Sequence, residues 1–439
     1  MRIWGEKVEA LRIASGTIYN EIIVWKVVHS NHTSSKSPVK DHVSMISSFD
    51  KGLQFHDQQY ESVHMCRLAG HEGSIFRIAW FSDGSKLISV SDDRSARLWT
   101  VHAERKEFDN FAEILGSHSV GPVLFGHSAR VWDCCIFDSL IVTAGEDCTC
   151  RVWGLDGNQL KMIREHIGRG IWRCLYDPNS SLLVTAGFDS SIKAQLLNAS
   201  LFKSSERHDE EAKELTDRTK IFTVRIPRSS EHIGLMNSKS EYVRCLHFAR
   251  EDALYVATNN GYLYHAKLSN MADVKWTELL RVSETVPIVC MDLLSRSSSN
   301  LTSTVEDWVA VGDGKGHMTI VSIVGDIHTP KVGITLTWSA GVERQLLGTY
   351  WCRSLGSRFI FTSDPRGTLR LWRLGNPLQS VSHSSPKSCD PLLIAEFVSC
   401  FGIRIMCLDA SFEDEVFVFH CFFLILTYCK LRLLALCGF

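Results

Sequence analysis

Three sets of side chains in this sequence combine a histidine, a hydroxyl residue and an aspartate. The first is His71, Ser89 and Asp93. The other two are His127, Thr143 and Asp147, and His166, Thr185 and Asp189. A histidine held by a carboxylate can take the proton of a hydroxyl group and so activate it as a nucleophile, as in hydrolases. The residue types alone therefore admit a catalytic triad.

The spacing of these sets favours a structural role. In the first two, a tryptophan follows six residues after the aspartate, as Trp99 and Trp153, whereas the third has none. A catalytic triad occurs once, next to a strand-to-helix turn that exposes its nucleophile, and no such turn is evident here. We therefore predict hydrogen-bonded structural tetrads that tie turns to strands, and no catalytic residue, cofactor site or metal site.

The elements that carry these sets form a repeat. Each unit opens with a histidine, continues through short strands that are apolar at alternate residues, and is bounded by turn residues, which is typical of a four-stranded antiparallel meander. Such blades cover each other's faces only when arranged around an axis. Weaker copies follow the three best ones, and a half unit lies at each end. The sequence predicts an all-β WD-repeat β-propeller of about seven blades over residues 1–415, in a ring that the half units either close together or leave open.

Several segments interrupt this pattern. Polar stretches near 29–62, 101–120 and 201–241 are predicted insertions. Residues 416–439 are an apolar tail that we interpret as an aberrant or alternative C-terminus. Its apolar core from Val416 to Cys429, about fourteen residues long, is shorter than the roughly twenty needed to span a bilayer. A membrane anchor is therefore the weaker interpretation.

The composition limits the classes of function. The formal net charge of −2 argues against a protein that binds nucleic acid through bulk positive charge, although a local basic surface is compatible with it. Fifteen cysteines occur without a Cys-x-x-Cys pair, so we expect reduced and mostly buried thiols. The first residues carry charges and Trp4, unlike a signal peptide, which predicts a cytoplasmic protein.

Certain phrases are narrower than the general repeat. They are 13–25 (IASGTIYNEIIVW), 70–76 (GHEGSIF), 91–95 (SDDRS), 125–132 (FGHSARVW), 145–147 (GED) and 166–172 (HIGRGIW). These phrases resemble the WD repeat-containing protein 6 family, most densely over residues 11–195 and faintly to about 415. That family is longer and has more than one propeller, so the chain resembles its first propeller, truncated at both ends.

The resemblance implies a function in tRNA methylation. Members of that family partner an FtsJ-type methyltransferase in 2′-O-ribose methylation at position 34 of the tRNA anticodon loop. Such a subunit would hold enzyme and tRNA together, while S-adenosylmethionine binds to the partner and this chain needs no cofactor. As candidate contacts to RNA or to the partner we single out Arg94, Arg130, Arg169 and Arg173, since guanidinium groups suit phosphate and 2′-hydroxyl recognition.

Two other classes of function stay open at this stage. Propellers host many unrelated functions, so a general protein–protein scaffold such as a ubiquitin-ligase adaptor is the main alternative. The residues after the blade-ending tryptophans are Lys26, Thr100, Gly154 and Arg373. They lack the Trp-Asp-basic ending that is typical of such adaptors. An enzyme is the third class, and we identify no nucleophile or cofactor loop that would support it.

Overall fold

The fold consists of short antiparallel strands. The computed structural model describes residues 12–17, 20–29, 60–101, 118–197, 221–228, 241–250, 252–270, 273–282, 284, 286–295, 304–326, 329–342, 345–346, 348–351, 358–365, 368–375, 391–398 and 405–411. Over this part of the chain, 28 strands form seven open sheets of four strands each. This confirms the predicted all-β propeller.

The innermost strands of successive blades pack against one another. They are β28 (Ile405–Ser411), β4 (Ile75–Trp80), β8 (Val131–Ile136), β12 (Ile171–Asp177), β16 (Val243–Arg250), β20 (Ile288–Ser295) and β24 (Gly348–Trp351). The second strands are β1 (Arg12–Thr17), β5 (Lys86–Ser91), β9 (Ile141–Gly145), β13 (Leu182–Gly187), β17 (Ala253–Thr258), β21 (Thr304–Asp313) and β25 (Phe359–Ser363).

The third and fourth strands complete each blade outward. The third strands are β2 (Glu21–His29), β6 (Ser95–Val101), β10 (Cys150–Trp153), β14 (Ser191–Leu196), β18 (Tyr262–Asn270), β22 (His317–Asp326) and β26 (Thr368–Arg373). The outermost are β3 (Tyr60–Ala69), β7 (His118–Phe125), β11 (Gln159–Ile163), β15 (Phe222–Arg225), β19 (Asp273–Arg281), β23 (Thr329–Ser339) and β27 (Leu392–Val398).

The two ends of the described chain share one blade. Strand β28 pairs with β1 in antiparallel register, with Ile13 opposite Ala410, and β1 continues to β2 and β3. We number this shared sheet blade 1. Blades 2 to 7 are then β4–β7, β8–β11, β12–β15, β16–β19, β20–β23 and β24–β27.

The core lies between neighbouring blades. Ile88 of blade 2 packs in one cluster with Ile141 and Trp153 of blade 3, and Val142 of blade 3 packs in the next cluster with Leu183 of blade 4. Because both faces of a blade are covered, the middle strands read as nearly continuous apolar runs. Burial of these faces is the main driving force for stacking the blades.

The predicted insertions differ in part from what the structure describes. Strand β15 lies inside the 201–241 stretch and pairs with β14, so Ala194 is opposite Phe222. This segment is the outermost strand of blade 4. The polar run that precedes it obscured the strand pattern in the sequence. Residues 30–59 and 102–117, and the apolar tail 416–439, lie outside the described residues.

The cysteines of the described ranges are mostly buried. Eight cysteines in them are free thiols, and seven of these are buried, the exception being Cys148. Burial raises the pKa of Cys150 well above the usual value, and a hydrogen bond with Cys135 together with burial does the same for Cys174, so both are protonated thiols at neutral pH. In the same part of the chain, we find no helix with the length and apolar character needed to cross a bilayer.

Candidate functional site

The first histidine set is a continuous chain of hydrogen bonds. His71 Nδ1 lies 2.7 Å from Asp93 Oδ2, and His71 Nε2 lies 2.7 Å from Ser89 Oγ. Trp99 Nε1 donates to the same Ser89 oxygen at 2.8 Å. An indole N–H can only donate and a carboxylate only accepts. Every group in this hydrogen-bond network therefore has a partner when the Ser89 hydroxyl donates to Nε2 and the Nδ1–H donates to Asp93.

The second set repeats this geometry in blade 3. His127 Nδ1 lies 3.0 Å from Asp147 Oδ1, His127 Nε2 lies 2.8 Å from Thr143 Oγ1, and Trp153 Nε1 donates to Thr143 at 2.9 Å. Each set joins the turn before an innermost strand to the turn between the second and third strands of its blade.

The third set lacks the tryptophan, as its sequence indicates. His166 Nδ1 lies 3.0 Å from Asp189 Oδ1 and Nε2 lies 2.9 Å from Thr185 Oγ1. Gln195 occupies the tryptophan position and is buried, and its Oε1 has no hydrogen-bond partner among the described residues. The Thr185 hydroxyl therefore receives no indole N–H.

A hydroxyl two residues after each aspartate belongs to every set, and the sequence analysis missed it. Ser95 Oγ donates to Asp93 at 2.6 Å, Thr149 Oγ1 to Asp147 at 2.7 Å and Ser191 Oγ to Asp189 at 2.7 Å. The backbone N–H of the same residue bonds to the same carboxylate oxygen. The signal was present, since Asp-x-Ser/Thr recurs in all three repeats.

These bonds determine the charge state of the aspartates. Burial alone would raise the pKa of Asp93, but the hydrogen bonds from His71 and Ser95 outweigh it and hold that pKa well below its ordinary value. The same balance lowers the pKa of Asp147 and of Asp189. The carboxylates are therefore ionised at neutral pH and accept from the turn on both sides.

The sets have little capacity for chemistry on a substrate. Ser89 and Thr143 are completely buried, and the oxygen of each already accepts an indole N–H. A substrate cannot reach either hydroxyl without displacing the blade turn. Within the described ranges, no group of three or more His, Cys, Asp or Glu side chains is arranged to bind a metal ion.

Blade 7 uses a different carboxylate. By spacing from Thr362, Arg366 falls where the good copies have aspartate, and Arg366 itself lies outside the described residues. Asp364 supplies the acceptor instead: its Oδ1 accepts the Thr368 N–H at 3.0 Å and its Oδ2 lies 2.9 Å from Arg370 Nη1. Trp372 Nε1 still donates to Thr362 at 2.9 Å. The indole–hydroxyl bond thus persists while the carboxylate moves two residues earlier.

The four candidate arginines differ in their exposure and in their contacts. Arg94 and Arg169 are exposed, and Arg94 occupies a turn with φ of 69°. Arg130 is exposed but lies 2.6 Å from Asp92 Oδ1, so a carboxylate partly neutralises it. Arg173 lies in strand β12 and not in an exposed loop; it is half-buried and donates from Nε to the Arg244 carbonyl at 2.8 Å.

A central cavity of 680 Å³ runs between the innermost strands. Asp133 lies buried in its wall and connects three blades. Its Oδ2 accepts the Cys174 backbone N–H at 3.0 Å, and its Oδ1 lies 3.1 Å from Arg77 Nε. Asp292 repeats the first contact by accepting the Trp351 N–H at 2.6 Å. Sequence reasoning gave no role to these aspartates, because an acid inside a strand resembles ordinary polar alternation.

The blades and their tetrads define the class: the chain is a WD-repeat β-propeller. Residues 62–100, 120–154 and 157–194 match the model of the WD domain, G-beta repeat.

Particular relatives share part of this chain. It is 31% identical over 189 residues to a mouse protein named tRNA (34-2′-O)-methyltransferase regulator WDR6, a match that covers 43% of this chain and 14% of the mouse protein. The fruit-fly protein of the same name is 23% identical over 273 residues, covering 61% of this chain and 22% of its own. The chain thus spans a small part of the length of these relatives.

A solved structure has a similar outline. It is the crystal structure of the WD40 β-propeller domain of Doa1, with a TM-score of 0.46 and 15% sequence identity, and the superposition covers 81% of this chain and 87% of that chain.

Proposed function

We propose that this chain is a non-catalytic regulatory subunit in tRNA modification. It holds an FtsJ-type methyltransferase on a tRNA while the enzyme methylates the ribose 2′-hydroxyl at position 34 of the anticodon loop. The chain works in the cytoplasm, where the methyltransferase supplies the bound S-adenosylmethionine and the reacting groups. The contribution of the propeller is to position enzyme and tRNA.

The observation that carries this proposal is the similarity to the relatives described as regulators of that reaction. The mouse and fruit-fly proteins both bear the name of a tRNA (34-2′-O)-methyltransferase regulator. Because the chain spans 14% of the mouse protein, it would supply one propeller of a larger arrangement. Partner binding and full stimulation of methylation would then be separable properties.

The geometry supports a positioning role over catalysis. The hydroxyl groups that most resemble nucleophiles are buried and accept hydrogen bonds from tryptophan. A nucleophile must approach its substrate to about 3 Å, which burial of this kind prevents. Methyl transfer would then rely entirely on groups of the partner enzyme.

The experiment is affinity purification of the tagged chain from its own cells, with mass spectrometry of bound proteins and sequencing of bound RNA. Recovery of an FtsJ-type methyltransferase together with tRNA supports the proposal. Recovery of ubiquitin-ligase components without either favours the general scaffold and contradicts it. A Ser89→Ala variant is the matched control: at a temperature where it stays folded, it recovers the same methyltransferase and leaves the methylation rate unchanged.

A further inference from the structure

Five partly exposed aromatic side chains form a continuous arc, and three of them line the central cavity. They are Phe76, Trp132, Trp172, Phe188 and Tyr242, which we call the aromatic arc. Ring centroids of successive members lie 4.6, 5.1, 5.3 and 5.2 Å apart. The arc therefore extends from blade 2 across blade 3 and blade 4 to the start of blade 5.

A repeated backbone irregularity places this arc. In five innermost strands the register with the second strand shifts around the second or third residue, leaving one residue unpaired in each. In β4, β8 and β12 that residue is Phe76, Trp132 and Trp172, and in β16 it is Arg244. A bulge re-aims its side chain away from the regular sheet faces and is frequent beside functional sites. Phe76, Trp132 and Trp172 thus line the cavity instead of packing in the core between blades.

Arginines accompany the rings. The guanidinium carbon of Arg244 lies 4.9 Å from the centre of the Trp172 ring, and that of Arg173 lies 5.5 Å from it. Arg77 follows Phe76 at the same end of the cavity and lies beside Asp133. Asp133 is buried, forms an ion pair with Arg77 and accepts the Cys174 backbone N–H. Three guanidinium groups lie beside these rings and the Asp133 carboxylate among them is already paired, so this part of the cavity suits an electron-rich or anionic ligand.

We infer that the aromatic arc binds unpaired nucleotides of an RNA strand, with bases stacked on Trp132 and Trp172 and phosphates near Arg173 and Arg244. Aromatic faces combined with arginines are the means by which proteins hold single-stranded nucleic acid without reading its sequence. Because neighbouring rings already touch, a base lies on their exposed faces and does not insert between them. The inference rests on the proposed function for the source of the RNA, an anticodon loop with unpaired bases.

The charge pattern favours RNA over the other ligand of similar size, an acidic peptide. Carboxylate side chains would pair with the arginines but would leave the aromatic faces in water. A strand of nucleotides covers both, since each unit carries a planar base and a phosphate. The negative net charge of the whole chain fits a local site of this kind, because binding does not depend on a general basic surface.

The test uses the purified full chain and a labelled single-stranded RNA of about twelve nucleotides, followed by fluorescence anisotropy at several salt concentrations. Trp172→Leu is expected to weaken binding about tenfold, the effect of losing one stacked base. Trp172→Phe, which keeps an aromatic face, retains binding. Arg244→Gln weakens binding and lowers the slope of log Kd against log salt by about 0.7.

Matched controls lie on outermost strands. Trp276→Leu on β19 and Arg67→Gln on β3 remove the same residue types away from the arc, and both should bind RNA like the unaltered chain. Phe76→Leu replaces Trp172→Leu if the latter does not fold. Equal binding by arc and control variants, no binding by the unaltered chain, or stronger competition by a poly-glutamate peptide than by unlabelled RNA would each overturn the inference.

The outcome is separable from that of the proposed function. The arc variants are also passed through the methyltransferase affinity purification. Retained methyltransferase without RNA binding by the unaltered chain rejects the arc as an RNA site and leaves the regulatory role standing. RNA binding that depends on the arc, without any methyltransferase, supports the arc and contradicts the regulatory role.

Discussion

At the level of single residues, this propeller depends on buried polar side chains that hydrogen bonds join into sets. A hydroxyl in a tetrad is shared between an imidazole and an indole, so its loss leaves two polar groups without partners. In blade 4 the indole is missing, and the equivalent hydroxyl serves the imidazole alone. A comparison of blade 3, which has the indole, with blade 4, which lacks it, therefore measures how much the tryptophan adds to stability.

We predict that Thr143→Val lowers the free energy of unfolding by about 2 to 4 kcal/mol and Thr185→Val by about 1 to 2 kcal/mol. Both substitutions keep the side-chain shape and remove one hydroxyl. Thr143→Val leaves His127 Nε2 and Trp153 Nε1 without a hydrogen-bond partner. Thr185→Val leaves only His166 Nε2 without one. Urea unfolding of both variants measures the difference, and equal losses would contradict the assigned role of the indole.

His265 gives the stability of the fold a dependence on pH. Burial, together with the nearby charge of Lys267, lowers its pKa from 6.5 to about 4. The unfolded chain thus binds a proton near pH 6.5 that the folded chain refuses until about pH 4, and stability is full above 6.5 and falls as the pH drops toward 4. Between pH 7.5 and 5 this amounts to about 2 kcal/mol.

The measurement is the free energy of unfolding at several pH values for the unaltered chain and for His265→Gln. The variant lacks the titrating group, so its loss of stability over this range should be smaller by about 2 kcal/mol. Parallel pH profiles for the two proteins would show that His265 is protonated equally in both states.

At the scale of elements, the blades are connected by buried carboxylates as well as by apolar packing. Asp133 in β8 holds β4 through Arg77 and β12 through the Cys174 N–H. In blades 5 and 6, Tyr255 donates to Asp307 across the blade boundary at 2.7 Å. Such contacts fix the angle between blades, which apolar surfaces alone leave adjustable.

We predict that Asp133→Ala lowers the free energy of unfolding by about 2 to 4 kcal/mol, because a half-buried guanidinium and a buried N–H lose their acceptor. Asp133→Asn keeps an amide oxygen for Cys174 and should cost less. Asp138→Ala in the following turn is the control: it removes an exposed acceptor of the Ser82 hydroxyl and should change stability by less than about 0.5 kcal/mol. Thermal unfolding of the three variants in the reverse order would contradict this role.

The elements also show how far sequence reasoning reaches. The tetrads of blades 2 to 4 were predictable, because each depends on local turns whose spacing the repeat preserves. The Asp133 bridges were not, since they depend on which strand of the next blade lies opposite. Strand β15 escaped because a long polar run separates it from its blade. The arc residues resembled outward-facing positions, and only the recurring triplets Ile-Phe-Arg, Val-Trp-Asp and Ile-Trp-Arg hinted that one strand position was special.

Across the whole molecule, the first and last strands of the described chain belong to one blade. Strand β28 supplies the innermost position of blade 1 and packs against β4 of blade 2. Without it, β1 becomes an unpaired edge and the adjoining face of blade 2 is exposed. The first and last half units recognised in the sequence are thus parts of a single sheet.

We predict that a chain ending at Val398 melts at a temperature lower by about 5 °C or more, since it loses β28 and the packing of blade 1. A chain ending at Ser411 retains β28 and is the matched control, with a melting temperature close to that of the full chain. Differential scanning calorimetry distinguishes them, and identical melting of both truncated chains would show that β28 adds nothing to the ring.

Mapping ribose methylation on cellular tRNA is the decisive test of the proposed regulatory role. Cells depleted of this chain are compared with cells that re-express it, and each tRNA nucleotide is scored for 2′-O-methylation by mass spectrometry. We predict loss of the methyl group at position 34 on depletion, its return on re-expression, and no change at other positions. Unchanged methylation at position 34 in depleted cells would contradict it.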